Sequence, residues 1–360
     1  MVVSDASRLE DFGGWPELLA RLFRREDLSA HETAAALEEI LEGRADPSCI
    51  AAFLSALRTK GETIEEMTGI LGVLRAHGEV VSTDGDVIDT CGTGGDRSGT
   101  INVSTMAAIV ANGAGARVCK HGGRASSSLS GSADVLEALG VAIELGPAGV
   151  QRCIETTGMG FCFAPRFHPA MRHVAAVRRA IGVGTVFNFV APLANPARAV
   201  RQVVGVGDAS MAEKLLGVLE ATGAVHAMVF YGHDGLDELS TTTRSTIFTT
   251  RLRDDGSRER QLLELDPTTL GISPARPEEL RGGDPEHNAE RARLILAGEP
   301  GPQRDIVELN AAAALVVAGI AEDLATGLVI ARSTIDSGEA LRALAGLIDC
   351  STKAAADELV

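Results

Sequence analysis

Four segments of this chain of 360 residues carry side chains whose types and spacing suit chemistry. The first reads Asp89-Thr90-Cys91-Gly92-Thr93-Gly94-Gly95-Asp96 and runs on into Thr100-Ile101-Asn102-Val103-Ser104-Thr105. A short strand leads in and a helix leads out, so the glycines make the turn between them. Glycine lets the backbone approach a ligand closely and take positive φ, while the free N–H groups and dipole of a helix start favour negative charge. The hydroxyls of Thr93, Thr100, Ser104 and Thr105 add donors, and the segment reads as a cradle for an anion such as phosphate. It is neither of two familiar phosphate loops: Arg97 stands where a dinucleotide fingerprint needs its third glycine, and no Gly-Lys-Ser/Thr follows. Taken alone, a plain tight turn explains it equally well.

The second segment follows the next strand and reads Lys120-His121-Gly122-Gly123-Arg124-Ala125-Ser126-Ser127-Ser128-Leu129-Ser130-Gly131-Ser132. Its cations, hydroxyls and glycines before a helix start would suit phosphate oxygens from another side. The alternative is a surface loop in which Ser132 caps the helix. In the third, Gly232-His233-Asp234-Gly235-Leu236-Asp237-Glu238, a strand ends in acids. These read either as a solvated turn or, beside phosphate, as oxygen ligands for magnesium together with Ser104. His121 and His233 are candidate acid–base groups. The fourth segment, from Phe163 through His168-Pro169-Ala170-Met171 and Arg178-Arg179 to Thr185-Val186-Phe187-Asn188, offers Arg178 to a small aromatic carboxylate. An amphipathic helix with solvated arginines is the plainer reading.

Positioning these groups requires a scaffold, and the pattern of apolar residues supplies one. Capping boxes at Ser29…Glu32 and Thr63…Glu66, and the pair Asp46-Pro47, mark helix starts in the N-terminal region. Apolar residues then recur at helical spacing, as in Ile64, Met67, Ile70, Leu71 and Leu74, and Gly61 and Gly78 close two of the helices. From about Asp86 short apolar runs alternate with helices: Val87–Asp89, Ala116–Cys119, Val141–Ile143, Gln202–Val206 and Val225–Phe230 read as strands. Helices are expected after Asn102, over Ser132–Leu139 and over Met211–Ala221. That rhythm predicts an α/β fold, a mostly parallel sheet covered on both faces, with ligands at the carboxyl ends of its strands. A hairpin is expected at Asp254-Asp255-Gly256-Ser257, and two terminal helices, including Ala311–Ile320, complete the core.

Composition narrows the function classes. The chain is 45% hydrophobic and carries a net charge of -16, so nucleic acid and acidic membranes are repelled at long range and an anion must be held by local donors. One Trp and one Tyr leave few platforms for stacking bases. Six cysteines lie scattered without CxxC spacing, which argues against a zinc site or a disulfide framework. No apolar run reaches the length of a membrane span and no apolar signal core stands near the start, so a soluble cytoplasmic protein is expected.

The four segments, in this order and spacing, closely resemble anthranilate phosphoribosyltransferases over nearly the whole chain. The resemblance rests on the glycine loop with its Asn-Val-Ser-Thr helix start, the Lys-His-Gly loop running into Ser-Gly-Ser-Ala-Asp, His-Pro-Ala-Met, and Asp-Gly-Leu-Asp-Glu. It implies a helical domain of residues 1–82 with a contribution from about 168–197, an α/β domain of the nucleoside phosphorylase-like type over 83–360, and a homodimer formed through the helical domains. It implies transfer of phosphoribose from phosphoribosyl pyrophosphate to the amine of anthranilate, in tryptophan biosynthesis, with magnesium. By the resemblance the donor falls to Gly92, Gly95, Asp96, Thr100, Asn102, Val103, Ser104, Thr105, Lys120, His121, Gly122, Gly123, Arg124, Ala125, Ser126, Ser127, Ser128 and Ser132. Anthranilate falls to Gly92, Gly123 and Arg178, and magnesium to Ser104, Asp237 and Glu238. Three positions depart from the family pattern: Gly123 where an asparagine is usual, Ala191 where Gly-Pro-Leu is usual, and Gly184 where arginine is often found. The departures touch the acceptor side, so a different aromatic acceptor is the alternative expectation; a non-enzymatic nucleic-acid-binding relative is a further one, against which the acidic balance speaks.

Overall fold

The computed structural model of the protein describes residues 8–125 and 129–358. Ser126, Ser127 and Ser128, all expected at the donor site, lie outside the described residues. Four helices come first: α1 (Gly14–Phe23), α2 (Ala30–Leu41), α3 (Pro47–Lys60) and α4 (Ile64–His77). The expected caps start three of them. Glu66 N–H donates to Thr63 Oγ1 at 3.1 Å, and the Glu66 carboxylate accepts the Thr63 N–H at 2.9 Å. The same carboxylate takes the Leu28 N–H at 2.9 Å and Lys60 Nζ at 3.0 Å, so one cap also ties α4 to the start of α2 and the end of α3.

The chain then alternates through β1 (Ile88–Gly92), α5 (Val103–Gly113), β2 (Val118–Gly122), α6 (Ser132–Leu139), α7 (Pro147–Thr157), β3 (Met159–Phe163), α8 (Ala164–Phe167), α9 (Arg172–Ile181) and α10 (Val186–Val190). It continues with β4 (Arg201–Gly205), α11 (Ala212–Ala221), β5 (His226–Gly232), β6 (Ser245–Leu252) and β7 (Arg258–Leu265). Helices α12 (Pro285–Leu296), α13 (Pro302–Ala318), α14 (Leu324–Asp336) and α15 (Glu339–Glu358) close it. The strands form one sheet in the order β3-β2-β1-β4-β5-β6-β7. The first five are parallel, and the β6–β7 hairpin adds the antiparallel edge. The order reverses direction at β1, so the crevice for a ligand opens beyond Gly92.

Side chains alternate across the sheet, and each face builds its own core. On one face Ile88, Val203, Met228 and Phe230 pack with α5, α6, α7 and the C-terminal helices. On the other, Cys91, Val204, Ala227 and Val229 pack with α11, with Val186, Phe187 and Val190 of α10, and with the buried residues of α1 to α4. The N-terminal helices therefore share a core with the sheet at the side where the glycine loop begins.

Three expectations need correction. Val141–Ile143 is not a strand: the Ala142 N–H donates to Ser351 Oγ of α15 at 3.1 Å instead of to a neighbouring strand. The strand beside β2 is β3, an apolar run whose residues are all buried. Four helices rather than two end the chain, and Gly131, not Ser132, is the N-cap of α6.

His226 opens β5 in the interior, where burial, reinforced by Arg201 and Arg251, pulls its pKa down to about 4. A histidine held neutral in the fold but free to protonate when unfolded lowers stability as pH falls from about 6.5 toward 4. His226→Gln is expected to flatten the fall in thermal midpoint over that window; an unchanged slope rejects the assignment.

Candidate active site

The glycine loop leaves β1 with its backbone pressed against the acidic turn that follows β5. A Cβ on Gly92 would lie 2.2 Å from Asp237 Oδ2, and one on Gly205 would lie 1.7 Å from the Asp237 carbonyl oxygen. Only glycine at both positions lets Asp237 sit between β1 and β4. The loop is tied back by Thr93, whose N–H donates to the Gly205 carbonyl at 2.9 Å and whose Oγ1 accepts the Gly207 N–H at 3.2 Å. Asn102 leads into α5 and joins the two cradles: its Nδ2 donates to the Ser130 carbonyl at 3.0 Å, and its Oδ1 accepts from Asn288 at 2.9 Å.

One cavity of about 400 Å3 collects these groups. Gly92, Gly95, Asp96, Thr100, Asn102, Val103, Ser104 and Thr105 line it from the first loop, and Lys120, His121, Gly122, Gly123, Arg124, Ala125 and Ser132 from the second. Asp237, Glu238 and Arg178 line it as well. Val103 and Thr105 turn their side chains into the core, which leaves their backbone to the cavity. His233 is not brought in; it is exposed, with Nε2 2.9 Å from Thr246 Oγ1. Arg124 touches the rim but is engaged with Asp134 at 3.0 Å and Glu137 at 2.8 Å, so Lys120 is the cation set within.

The acids are not a solvated turn. Glu238 is buried and Asp237 half-buried within the cavity wall. Glu238 Oε1 accepts the Ser104 N–H at the start of α5 at 3.0 Å, and Asp237 Oδ2 accepts the Gly94 N–H at 2.7 Å. Two N–H groups of the anion cradle are thus held by the protein's own carboxylates. Burial, with the charge of Asp96 added, pushes the Asp237 carboxyl up to about 7. Burial and the neighbouring Asp237 push Glu238 well above the usual range. Lys120 is buried and donates to the Thr90 carbonyl at 2.5 Å and to Ser104 Oγ at 3.4 Å; burial lowers its pKa, and Asp89 and Glu238 push back. One ammonium beside Asp96, Asp237 and Glu238 leaves negative charge uncompensated. A hard divalent cation would relieve it. Among the described residues no three His, Cys, Asp or Glu side chains cluster into a closed metal cage. Two carboxylates and the Ser104 hydroxyl match magnesium, which keeps several waters and shares its shell with phosphate oxygens.

Sequence reasoning missed the support beneath the second loop. Asp89 is fully buried, and burial raises its pKa to about 6 against the opposing pull of Lys120. Its carboxylate accepts the His121 N–H at 3.1 Å and Asn195 Nδ2 at 2.7 Å, and the same Nδ2 lies 2.7 Å from the Cys119 carbonyl. The signal was an aspartate inside an apolar strand. His121 is buried and held down to about 3, first by burial and then by His168 and Lys120. It is a neutral ring at physiological pH. Arg178 stacks on Phe187, with 5.5 Å from guanidinium carbon to ring centroid, and Nη2 donates to Asn188 Oδ1 at 3.3 Å. No carboxylate among the described residues pairs with it. Asn188, Phe187 and Pro192, which no motif assigned to a ligand, also line the cavity, as does Ala191.

Comparison with known proteins agrees with this architecture. The family model described as "Glycosyl transferase family, a/b domain" matches residues 84–341, and "Glycosyl transferase family, helical bundle domain" matches 16–78. The anthranilate phosphoribosyltransferase of Chloroflexus aggregans is 52% identical over 336 residues, 93% of this chain and 98% of that protein. That of Roseiflexus castenholzii is 50% identical, covering 93% of this chain and 97% of that protein. Among solved structures, anthranilate phosphoribosyltransferase from Thermus thermophilus superposes with a TM-score of 0.86 at 38% identity, over 93% of this chain and 99% of that one. The Saccharomyces cerevisiae enzyme in complex with phosphoribosyl pyrophosphate and magnesium gives 0.85 at 28% identity, over 94% and 98%. The chain belongs to the anthranilate phosphoribosyltransferase family.

Proposed function

We propose that the protein transfers the phosphoribosyl group of phosphoribosyl pyrophosphate to the amine of anthranilate, releasing pyrophosphate, in tryptophan biosynthesis. The observation that carries this reading is the convergence of two glycine-rich loops, a buried lysine and the acid pair Asp237 and Glu238 on one cavity that also contains Arg178, with which no carboxylate among the described residues pairs. In the reaction the C1–oxygen bond to pyrophosphate breaks as the amine lone pair forms the C1–nitrogen bond, and the proton the nitrogen sheds passes to solvent. The transition state gathers positive charge on the ribose and negative charge on the departing oxygens, as in glycoside chemistry. Magnesium, bound, supplies Lewis-acid neutralisation of that leaving group. Ser104, Asp237 and Glu238 are the residues that would hold it.

The chain's own residues do the rest. Lys120 and the backbone N–H of Gly95 stabilise the departing charge, in a cavity already shaped for it. Asn102 keeps the two cradles in register. Arg178, stacked and tethered, receives the acceptor's carboxylate and aligns an amine that is nucleophilic without activation. His121, held neutral, adds no charge that would repel the forming oxocarbenium ion.

The acceptor wall is where this chain departs from its family. An added Cβ at Gly123 meets nothing within 4 Å, so a side chain can leave the backbone there without a clash at its first atom. Restoring the amide is expected to raise kcat/KM for anthranilate about tenfold, equivalent to roughly 1.4 kcal/mol. No gain would mean that the position does not meet the acceptor. Steady-state assays with anthranilate and ring-substituted analogues test the reading itself: anthranilate is expected to be the best acceptor, and turnover no faster than that of the best analogue favours a different aromatic acid.

We further assign residues 1–82, with about 168–197, to a helical domain and 83–360 to the donor-binding domain, and expect a cytoplasmic homodimer joined through the helical domains. The packing of Val174 and of Val186, Phe187 and Val190 with the buried residues of α1 to α4 supports the contribution from about 168–197, while the same core runs on into the sheet. Phe23, 67% exposed, supports a covered face there. No described helix is long and apolar enough to cross a membrane, and the charge of -16 disfavours nucleic acid.

A further inference from the structure

Asn188 is built as a tether and left with an unused hand. Its Oδ1 accepts the Thr185 N–H at 3.0 Å and Arg178 Nη2 at 3.3 Å. Both partners are donors, so the atom facing them must be the carbonyl oxygen, and its two lone pairs are filled. That leaves both N–H groups of Nδ2, which make no hydrogen bond to any described residue. Asn188 is half-buried and lines the same cavity as Arg178 and Gly123. Gly184 keeps the space beside it open: a Cβ there would lie 3.8 Å from Asn188 Cγ and 4.0 Å from Nδ2. A donor pair set beside a guanidinium in a cavity wall has its natural complement in an oxygen anion that Arg178 also binds.

We infer that Asn188 is a specificity-determining residue, whose Nδ2 donates to the acceptor's carboxylate alongside Arg178. The inference rests on the proposed function and names a further residue of that site. One side chain then has two tasks: its oxygen fixes the direction of the guanidinium fork, and its nitrogen supplies a second donor held in the same frame. A carboxylate has lone pairs enough for both. The amide that Gly123 lacks on the second loop is thereby offered from α10. An acceptor without a carboxylate leaves the two donors unpaired, which is how a polar site rejects the wrong substrate.

Asn188→Asp keeps the shape and both accepted bonds while exchanging the donor for an acceptor oxygen. It is expected to lower kcat/KM for anthranilate 10–100-fold, to leave aniline within about threefold, and to leave KM for phosphoribosyl pyrophosphate within about twofold. The new carboxylate also pairs with Arg178, so the substitution is repeated in Arg178→Met, where a residue acting only by tethering the guanidinium has none left to hold and the aspartate oxygen still accepts the Thr185 N–H. Direct donation predicts a further loss of about fivefold or more for anthranilate in that background. Asn188→Ala, which adds no charge, is expected to give the same ranking of acceptors. An unchanged kcat/KM for anthranilate, an equal loss with aniline, or no further loss in the Arg178→Met background overturns the inference and leaves the functional reading standing. A wild-type enzyme inert toward anthranilate overturns both.

Discussion

Asp237→Asn combined with Glu238→Gln is expected to cut magnesium-dependent turnover by about 10³-fold or more, the scale of removing preorganised charge stabilisation at a leaving group. The same substitution is expected to raise the thermal midpoint of the metal-free protein at pH 7.5. The amide oxygens can still accept the Gly94 and Ser104 N–H groups, and what is lost is only ionisable acid in a buried, crowded place. Asp237 is pushed up to about 7 in the fold. A carboxyl whose folded pKa lies above its unfolded value is fully tolerated below about pH 4, and its cost grows as pH rises toward the folded pKa. The gain in midpoint should therefore vanish near pH 4 and grow as pH rises through about 7, where Asp237 ionises, with the Glu238 contribution added at higher pH. Adding magnesium should stabilise the wild type at pH 7.5 and leave the double variant unchanged. A variant that keeps activity, or that is less stable without metal, contradicts the metal assignment.

Lys120→Met should lower kcat by about 10²–10³-fold with a smaller change in KM for the sugar donor, because the ammonium gains most as charge builds on the departing oxygens. Methionine is similar in length and apolar, so the buried volume stays filled. The two hydrogen bonds to Thr90 and Ser104 are lost, and Asp89 loses the cation that opposes its burial. Circular dichroism separates misfolding from lost chemistry. A kcat within tenfold of wild type in a folded variant would show that Lys120 does not face the leaving group.

The sheet and the location of the site were legible because local signals agreed with the global fold. Capping boxes at Ser29 and Thr63 started helices where expected, and the β6–β7 hairpin turned at Asp255-Gly256. The error at Val141–Ile143 arose because a short apolar run has the same composition whether it pairs with a strand or packs between helices; Ser351, far along the chain, decides it. β3 was passed over for the same reason. The motifs named residues that line the cavity, yet the acidic segment by itself left open whether its acids form a solvated turn or metal ligands. Their burial follows from the close approach of Gly92 and Gly205, a tertiary fact with no signature at positions 237 and 238. Asp89 and Asn195 escaped notice because hydrogen bonds to groups far along the chain leave no spacing to read.

Titration calorimetry of the folded protein with phosphoribosyl pyrophosphate, with and without magnesium, tests the central claim most directly: that two backbone cradles and a buried acid pair together hold one diphosphate. Tight association that requires the metal and disappears in the Asp237→Asn, Glu238→Gln variant is the predicted result. Absence of association with both present, or binding of equal strength without the metal, would contradict it.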